Sequence, residues 1–217
     1  DYVYDDINTV PKNHIYAGLN NLFGEVTWFY PGSGAASNNR SVTYNYMDSS
    51  PQRPVWTTSS LARSTWSDSH IFGKPHATEY DSDSTSDATV GNTDGCTTYY
   101  EHETGNNQIK AGTSTAITAN IQSGDFDLGQ QGLDGDGELI MKIRRVLPDF
   151  LTQTGTTRVT LNLKNYPTDS EASSSLGPFD INSSTTKIDT RARARAIALK
   201  ISNTGLAQHW KVGTFRL

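Results

Sequence analysis

Thr190 to Ser202, TRARARAIALKIS, alternates with a period of two. Its odd positions are Arg191, Arg193, Arg195, Ile197, Leu199 and Ile201, and its even positions are Ala192, Ala194, Ala196, Ala198, Lys200 and Ser202. Successive side chains of a strand point to opposite faces, so this spacing lines one face with the odd set. Ala and Arg are good helix formers, but a helix would need apolar residues three to four apart. The segment is therefore read as one continuous β-strand whose odd face starts cationic and ends apolar. Such a strand leaves a sheet core at Ile197 and carries three guanidinium groups to a rim, where planar donors suit carboxylates or phosphates. That is an interface pattern rather than a catalytic one.

Similar short alternations fill the rest of the chain. From Asp1 to Gln108 strands are expected at Ile15 to Leu19, Glu25 to Tyr30, Arg40 to Tyr46, Val55 to Thr58, His76 to Tyr80 and Thr98 to His102. Between them lie PGSGAASNN, MDSSPQRP and DSDSTSDATVGNTDG, whose Gly, Pro, Ser, Asp and Asn favour turns. Such spacing suits a propeller blade or a sandwich. Trp28 and Tyr30 share one strand face, Thr27 and Phe29 the other, and Tyr44 and Tyr46 lie on the next strand; core and cross-strand contacts are the simplest use for them. Tyr2, Val3 and Tyr4 read as a further strand interior. The chain begins there without Met and ends on the strand-like Val212 to Leu217, which reads as a piece of something longer.

Gly105 to Ser114, GNNQIKAGTS, reads as a linker. Longer strands are expected after it at Ala116 to Ser123, Leu139 to Leu147, Arg158 to Lys164, Thr190 to Ser202 and Gln208 to Leu217. In VTLNLK, Val159, Leu161 and Leu163 share one face and Thr160, Asn162 and Lys164 the other, as in a sheet with one wet side. Leu139, Ile143, Val146 and Phe150 also fit a helical template, but Pro148 would interrupt that helix. Pro167 to Thr186 reads as a polar, mobile loop. The fold class is thus all-β: a propeller-like antiparallel region over residues 1–108, incomplete at its start, and a β-sandwich-like domain over 109–217. With 34% hydrophobic residues, 10 Tyr, 7 Phe and 4 Trp, the core must lean on aromatic and β-branched side chains.

The net charge of −5 is unevenly spread. Residues 1–110 hold 6 Lys+Arg against 13 Asp+Glu, a net −7, and residues 111–217 hold 12 against 10, a net +2. An acidic half is the wrong sign for general nucleic-acid binding, and the basic half falls short of the excess that phosphate-driven affinity needs. The single Cys96 cannot form an intrachain bridge, which agrees with folding in a reducing cytosol. No run of eighteen apolar residues and no signal-peptide pattern occur in the sequence, so no membrane insertion by the chain itself is expected.

Signals for chemistry are weak. His14, His70, His76, His102 and His209 show no metal-ligand spacing. His102, in YYEHETG, is read as a sheet-surface or core histidine with Glu101 and Glu103 on the opposite face. Asp81, Asp83, Thr85 and Asp87 resemble a calcium loop, but Ser86 stands at the turn glycine and Asn92 at the bidentate glutamate. Asp134, Asp136 and Glu138 in LDGDGE fit a solvated hairpin turn. Cys96 lacks an evident catalytic partner. No nucleophile elbow, phosphate loop or dinucleotide fingerprint is present. No cofactor, metal or catalytic residue is expected.

Taken in order, GEVTWFYPGSG, RSVTYNYMD, WTTSSLARSTWSD, YYEHETG, SGDFDLG, MKIRRVLPDF, VTLNLKNYP and RARARAIALKISNTGLAQHWKVGTFRL resemble the C-terminal part of the tail nozzle proteins of short-tailed, podovirus-type bacteriophages. These are also called tail tubular protein B or phage stabilisation proteins. The resemblance covers nearly the whole chain through order and spacing rather than one decisive motif. It implies a non-enzymatic virion protein, assembled in the bacterial host cytoplasm as a ring of six copies below the tail adaptor. It also implies neighbouring fibre proteins, transient passage of viral DNA, and a propeller followed by sheet-rich domains around the exit channel. The chain starts where the family would already be several blades into its propeller. It stops at Phe215, Arg216 and Leu217, where the family would continue into a short basic tail.

Within that expectation Arg144, Arg145, Arg191, Arg193 and Arg195 are candidates for subunit contact, meeting acidic loops such as Asp81 to Asp87 of a neighbour, with DNA contact second. The rival reading is a carbohydrate- or receptor-binding tail module, because exposed Trp and Tyr on β-structure stack on sugars. A third reading is a tailspike-type glycoside hydrolase, which needs two converging carboxyl groups in an aromatic cleft.

Overall fold

The computed structural model describes residues 2–81, 96–110, 112–128, 139–166, 168–169 and 174–217. The protein is all-β, built from several antiparallel sheets with little helix. It divides into two compact units, Asp1–Thr104 and Gly105–Leu217.

The first unit opens with a short helix, α1 (Tyr2–Asp6), where a strand was expected. The alternating aromatics gave a strand-like pattern, but tertiary contacts decide: Asp6 accepts from Arg40 at 3.2 Å, and Asn8 N–H donates to the Pro31 carbonyl at 2.8 Å. A four-stranded meander follows, β1 (Tyr16–Asn20), β2 (Glu25–Tyr30), β3 (Arg40–Ser50) and β4 (Arg53–Ser59). A three-stranded meander follows it: β5 (Thr65–Ser67), β6 (His76–Asp81) and β7 (Cys96–Glu101).

Register sorts the aromatics onto two faces of the first sheet. Tyr16 is opposite Phe29 and Gly18 opposite Thr27, so these share the inner face. There Phe29 is fully buried, stacked on Tyr16 at 5.1 Å and packed against Trp66 of β5 at 5.5 Å. A Cβ on Gly18 would fall 2.5 Å from the Trp66 ring, so only glycine lets that indole lie flat and donate to the Leu19 carbonyl at 2.7 Å. Trp28 and Tyr44 share the other, outer face and are only half-buried.

The second unit begins with a hairpin, β8 (Asn107–Lys110) and β9 (Thr113–Ala116), within the stretch expected to be a linker. Its polar composition suits a hairpin open to water as well as a linker. The main sheet has β17 (Ala196–Asn203) at its centre, between β14 (Thr157–Lys164) and β10 (Ala119–Gln122). β15 (Ser175–Ile181) lies outside β14, and β11 (Phe126–Asp127) also pairs with β17. β15 occupies part of the expected polar loop. Gly177 makes it possible, because its φ is +111° and a Cβ there would sit 2.8 Å from the Val159 carbonyl. Two further pairs are β12 (Met141–Val146) with β16 (Ile188–Ala194), and β13 (Phe150–Thr154) with β18 (His209–Val212). One aliphatic cluster joins the first of these to the main sheet: Met141, Ile143, Val146, Ile188, Ala192 and Ala194 against Val159, Leu161, Ile181 and Ile197.

The expected continuous strand from Thr190 to Ser202 is two strands in two sheets, broken at Arg195. In β16 the even residues Ala192 and Ala194 are buried and Arg191 and Arg193 exposed, whereas in β17 the odd residues Ile197 and Ile201 are buried. A single straight strand would put the arginines on the same face as the isoleucines, and burying unpaired guanidinium groups is prohibitive. The bend changes which parity faces inward, and Arg195 N–H donating to the Lys164 carbonyl at 3.1 Å ties it to the end of β14.

Candidate functional site

The outer face of the β12–β16 ladder is cationic. Its buried side takes Met141, Ile143, Val146, Ile188, Ala192 and Ala194, which forces the intervening residues to the surface. The ladder shifts register between Ile143 and Arg145, where Thr190 and Arg191 of β16 stand across from the single Arg144 of β12. Arg144 and Arg145 are therefore both exposed instead of alternating.

Lys142 lies directly opposite Arg193, a like-charge cross-strand pair that weakens a ladder. The one acid on this face, Asp189, is opposite Arg145 and accepts from its Nε at 2.7 Å and from Lys187 Nζ at 3.0 Å. Those two hydrogen bonds hold the Asp189 carboxyl below its ordinary range. Lys142, Arg144, Arg191 and Arg193 form no ion pair among the described residues.

The structure thus brings together four of the five sequence candidates, Arg144, Arg145, Arg191 and Arg193. It places Arg195 at the bend where β16 gives way to β17. Lys142 belongs to the same face and was not singled out from sequence. Its signal is the alternation of MKIRRV, in which Lys142 and Arg144 fall two apart with Ile143 between them. The proposed acidic counterpart Asp83 to Asp87, the rest of the calcium-like segment to Asn92, and the turn Asp134 to Glu138 lie outside the described residues. Asp81 ends β6 opposite Cys96, which starts β7.

The first unit holds a different polar centre. Arg63 is 4% exposed. Its Nε–H donates to His102 Nε2 at 2.9 Å, its Nη1 lies 3.4 Å from Glu79 Oε2, and its guanidinium stacks 4.0 Å from the Tyr100 ring centre. Burial lowers the pKa of Arg63 itself, opposed by Glu79, Tyr100 and Tyr16. His102 packs on Trp66 at 4.7 Å, and burial, then Arg63, then His76 bring its pKa down to about 4. It is a neutral acceptor in the core. It sits just past the end of β7, not on a strand between opposed glutamates: Glu101 pairs with Lys74, and Glu103 turns back at φ 59° to accept from Asn20. The same unit crowds Glu25 with Glu103 and Asp48, so burial and then those two carboxylates raise the Glu25 pKa.

A shallow polar depression in the second unit is lined by Thr156, Arg158, Asp180, Thr204, Gly205 and Gln208. Its groups satisfy one another: Arg158 pairs with Asp180 at 3.1 Å, and Gln208 Oε1 accepts from the Thr204 and Gly205 amides. Among the described residues no three His, Cys, Asp or Glu side chains converge on a metal-sized site, and no described helix is long and apolar enough to cross a membrane. No family model and no curated protein matches the chain.

Proposed function

We propose that the chain is a structural subunit of a bacteriophage tail, forming part of the nozzle ring around the DNA exit channel, as its resemblance to tail nozzle proteins implies. The cationic face of β12–β16 is the observation that carries the reading. Folding the second unit requires only that Met141, Ile143, Ala192 and Ala194 be buried, and Lys142 opposite Arg193 works against that ladder. An acidic partner surface relieves the repulsion, and a neighbouring copy of the chain supplies one. Residues 1–104 hold 5 Lys+Arg against 13 Asp+Glu, with Glu25, Asp48 and Glu103 gathered in one place. A contact between one copy's basic face and the next copy's acidic unit is heterologous, the kind that closes into rings.

Sedimentation and negative-stain imaging of the purified chain test this. A ring-sized assembly is expected at low salt, weakening as salt rises, and Arg191→Glu with Arg193→Glu should leave only monomer. A native chain that stays monomeric at every salt and protein concentration would reject the reading.

A further inference from the structure

The outer face of the four-stranded sheet in the first unit carries an aromatic patch unlike any other among the described residues. Register places Val26, Tyr44 and Trp56 side by side across β2, β3 and β4, and Trp28, Val42 and Thr58 in the adjacent row. Leu19 and Ala17 complete these rows from β1. Trp56 lies 4.7 Å from Tyr44 and 6.0 Å from Trp28, with tilts of 38° and 34°. The rings thus brace one another into a continuous aromatic surface. Trp56 is 52% exposed, and the whole of β4 is open to solvent.

From this surface we infer a binding site for a neutral oligosaccharide. Flat pyranose faces present C–H groups that pack on indole and phenol rings, while sugar hydroxyls need donors and acceptors at the ring edges. Both are present: the Tyr44 and Thr58 hydroxyls and the Trp28 and Trp56 indole N–H groups take no hydrogen bond among the described residues. Charge decides against nucleic acid, whose bases also stack. The eight residues of the two rows are uncharged, Arg40 at their end is held by Asp6 at 3.2 Å, and the unit is strongly acidic. Area decides against a second copy. The half-exposed Trp56 with the more buried Trp28 and Tyr44 offers at most about 300 Å², well short of the roughly 800 Å² per partner in a stable protein interface.

The test is titration of the purified chain with cellohexaose, xylohexaose, mannohexaose and maltohexaose, followed by calorimetry and tryptophan fluorescence. At least one is expected to saturate in the millimolar range and shift the fluorescence. Trp56→Leu, which keeps apolar bulk without a ring, should weaken it about tenfold. Trp56→Phe should retain most of the binding, and Tyr166→Ala, at an exposed ring of the other unit, all of it. Thermal melting of each variant separates lost binding from lost fold. The inference is overturned if none of the four sugars binds, or if binding survives Trp56→Leu and Tyr44→Leu alike. It is also overturned if Trp56→Leu abolishes self-association or oligothymidylate binding instead, which would assign the face to a second copy or to single-stranded nucleic acid. Sugar binding is read on Trp56 and Tyr44 variants and ring assembly on Arg191 and Arg193 variants, so failure of this site and failure of the nozzle reading are told apart.

Discussion

The two units solve burial in opposite ways. The second has an aliphatic core of Met, Ile, Val, Leu and Ala and sends its charge outward on β12–β16. The first packs Tyr16, Phe29 and Trp66 in series, sets Tyr100 and His102 on a buried arginine, and leaves Trp28, Tyr44 and Trp56 on its outer face. An aliphatic core is non-directional and tolerates change in proportion to volume. A core organised by Arg63 depends on directed bonds, because removing it costs His102 its donor and Glu79 an ion pair. The same contrast separates the surfaces: one outer face is cationic, the other uncharged and aromatic.

Arg63→Met should have the largest effect on the first core. It takes the donor from His102 and one cationic partner from Glu79, and should destabilise the first unit by about 3 kcal/mol. Three of the four tryptophans, Trp28, Trp56 and Trp66, belong to that unit, so denaturant unfolding followed by tryptophan fluorescence reports it. A loss below about 1 kcal/mol would show that aromatic packing alone holds this core. In the second unit Leu161→Ala, at a fully buried position, should remove about 3 kcal/mol. Hydrogen exchange of the β14 and β17 amides measures it. Equal loss of protection in β1 to β4 would show that the two cores do not behave as separate stores of stability.

Above the range in which carboxyls titrate, acid should act on the first unit through His102. The folded pKa of His102 lies near 4, below its unfolded value near 6.5, so the unfolded chain takes up the proton first. Stability from neutral His102 is complete above the unfolded value and is lost as pH falls from there to about 4. The loss should be about 2 kcal/mol, the partial exposure of the ring having reduced the full effect of the shift. His102→Gln keeps an acceptor for Arg63 without the titration and should flatten the pH dependence of the fluorescence-detected transition between pH 7 and 4. A slope unchanged in that variant would place the acid sensitivity elsewhere. The smallest effect is expected on the cationic face, where Arg193→Glu turns the repulsive pair with Lys142 into an attractive one. It should raise the melting stability of the second unit by about 0.5 kcal/mol while weakening self-association. Destabilisation instead would mean that Arg193 already has a favourable role in the isolated fold.

Much of this was legible in the residues. Period-two alternation identified the all-β class and most of the longer strands, with Glu25–Tyr30 matching end to end. Turn-rich composition was less reliable: β8, β9 and β15 lie in segments whose Gly, Ser and Asn content signalled loops. In short edge strands, pairing outweighs such local preference. The arginines were found as a group because they alternate, but Lys142 joined them only through the β12–β16 register. His102 and Arg63 were missed as a pair because 39 residues separate them. No local pattern announces a contact between a loop before β5 and the end of β7.

The sequence by itself determined that the chain forms sheets and that its charge is divided between an acidic first part and a mildly basic second. Both follow from residue order, since alternation and charge are local properties. Only the tertiary structure decided which side of each strand faces inward. Side-chain direction has period two, so the odd and even faces of TRARARAIALKIS compete as alternatives until something packs against one of them. The bend at Arg195 resolves the competition differently in β16 and β17. It buries Ala192 and Ala194 on one side of the break and Ile197 and Ile201 on the other, and so leaves Arg191 and Arg193 in solvent.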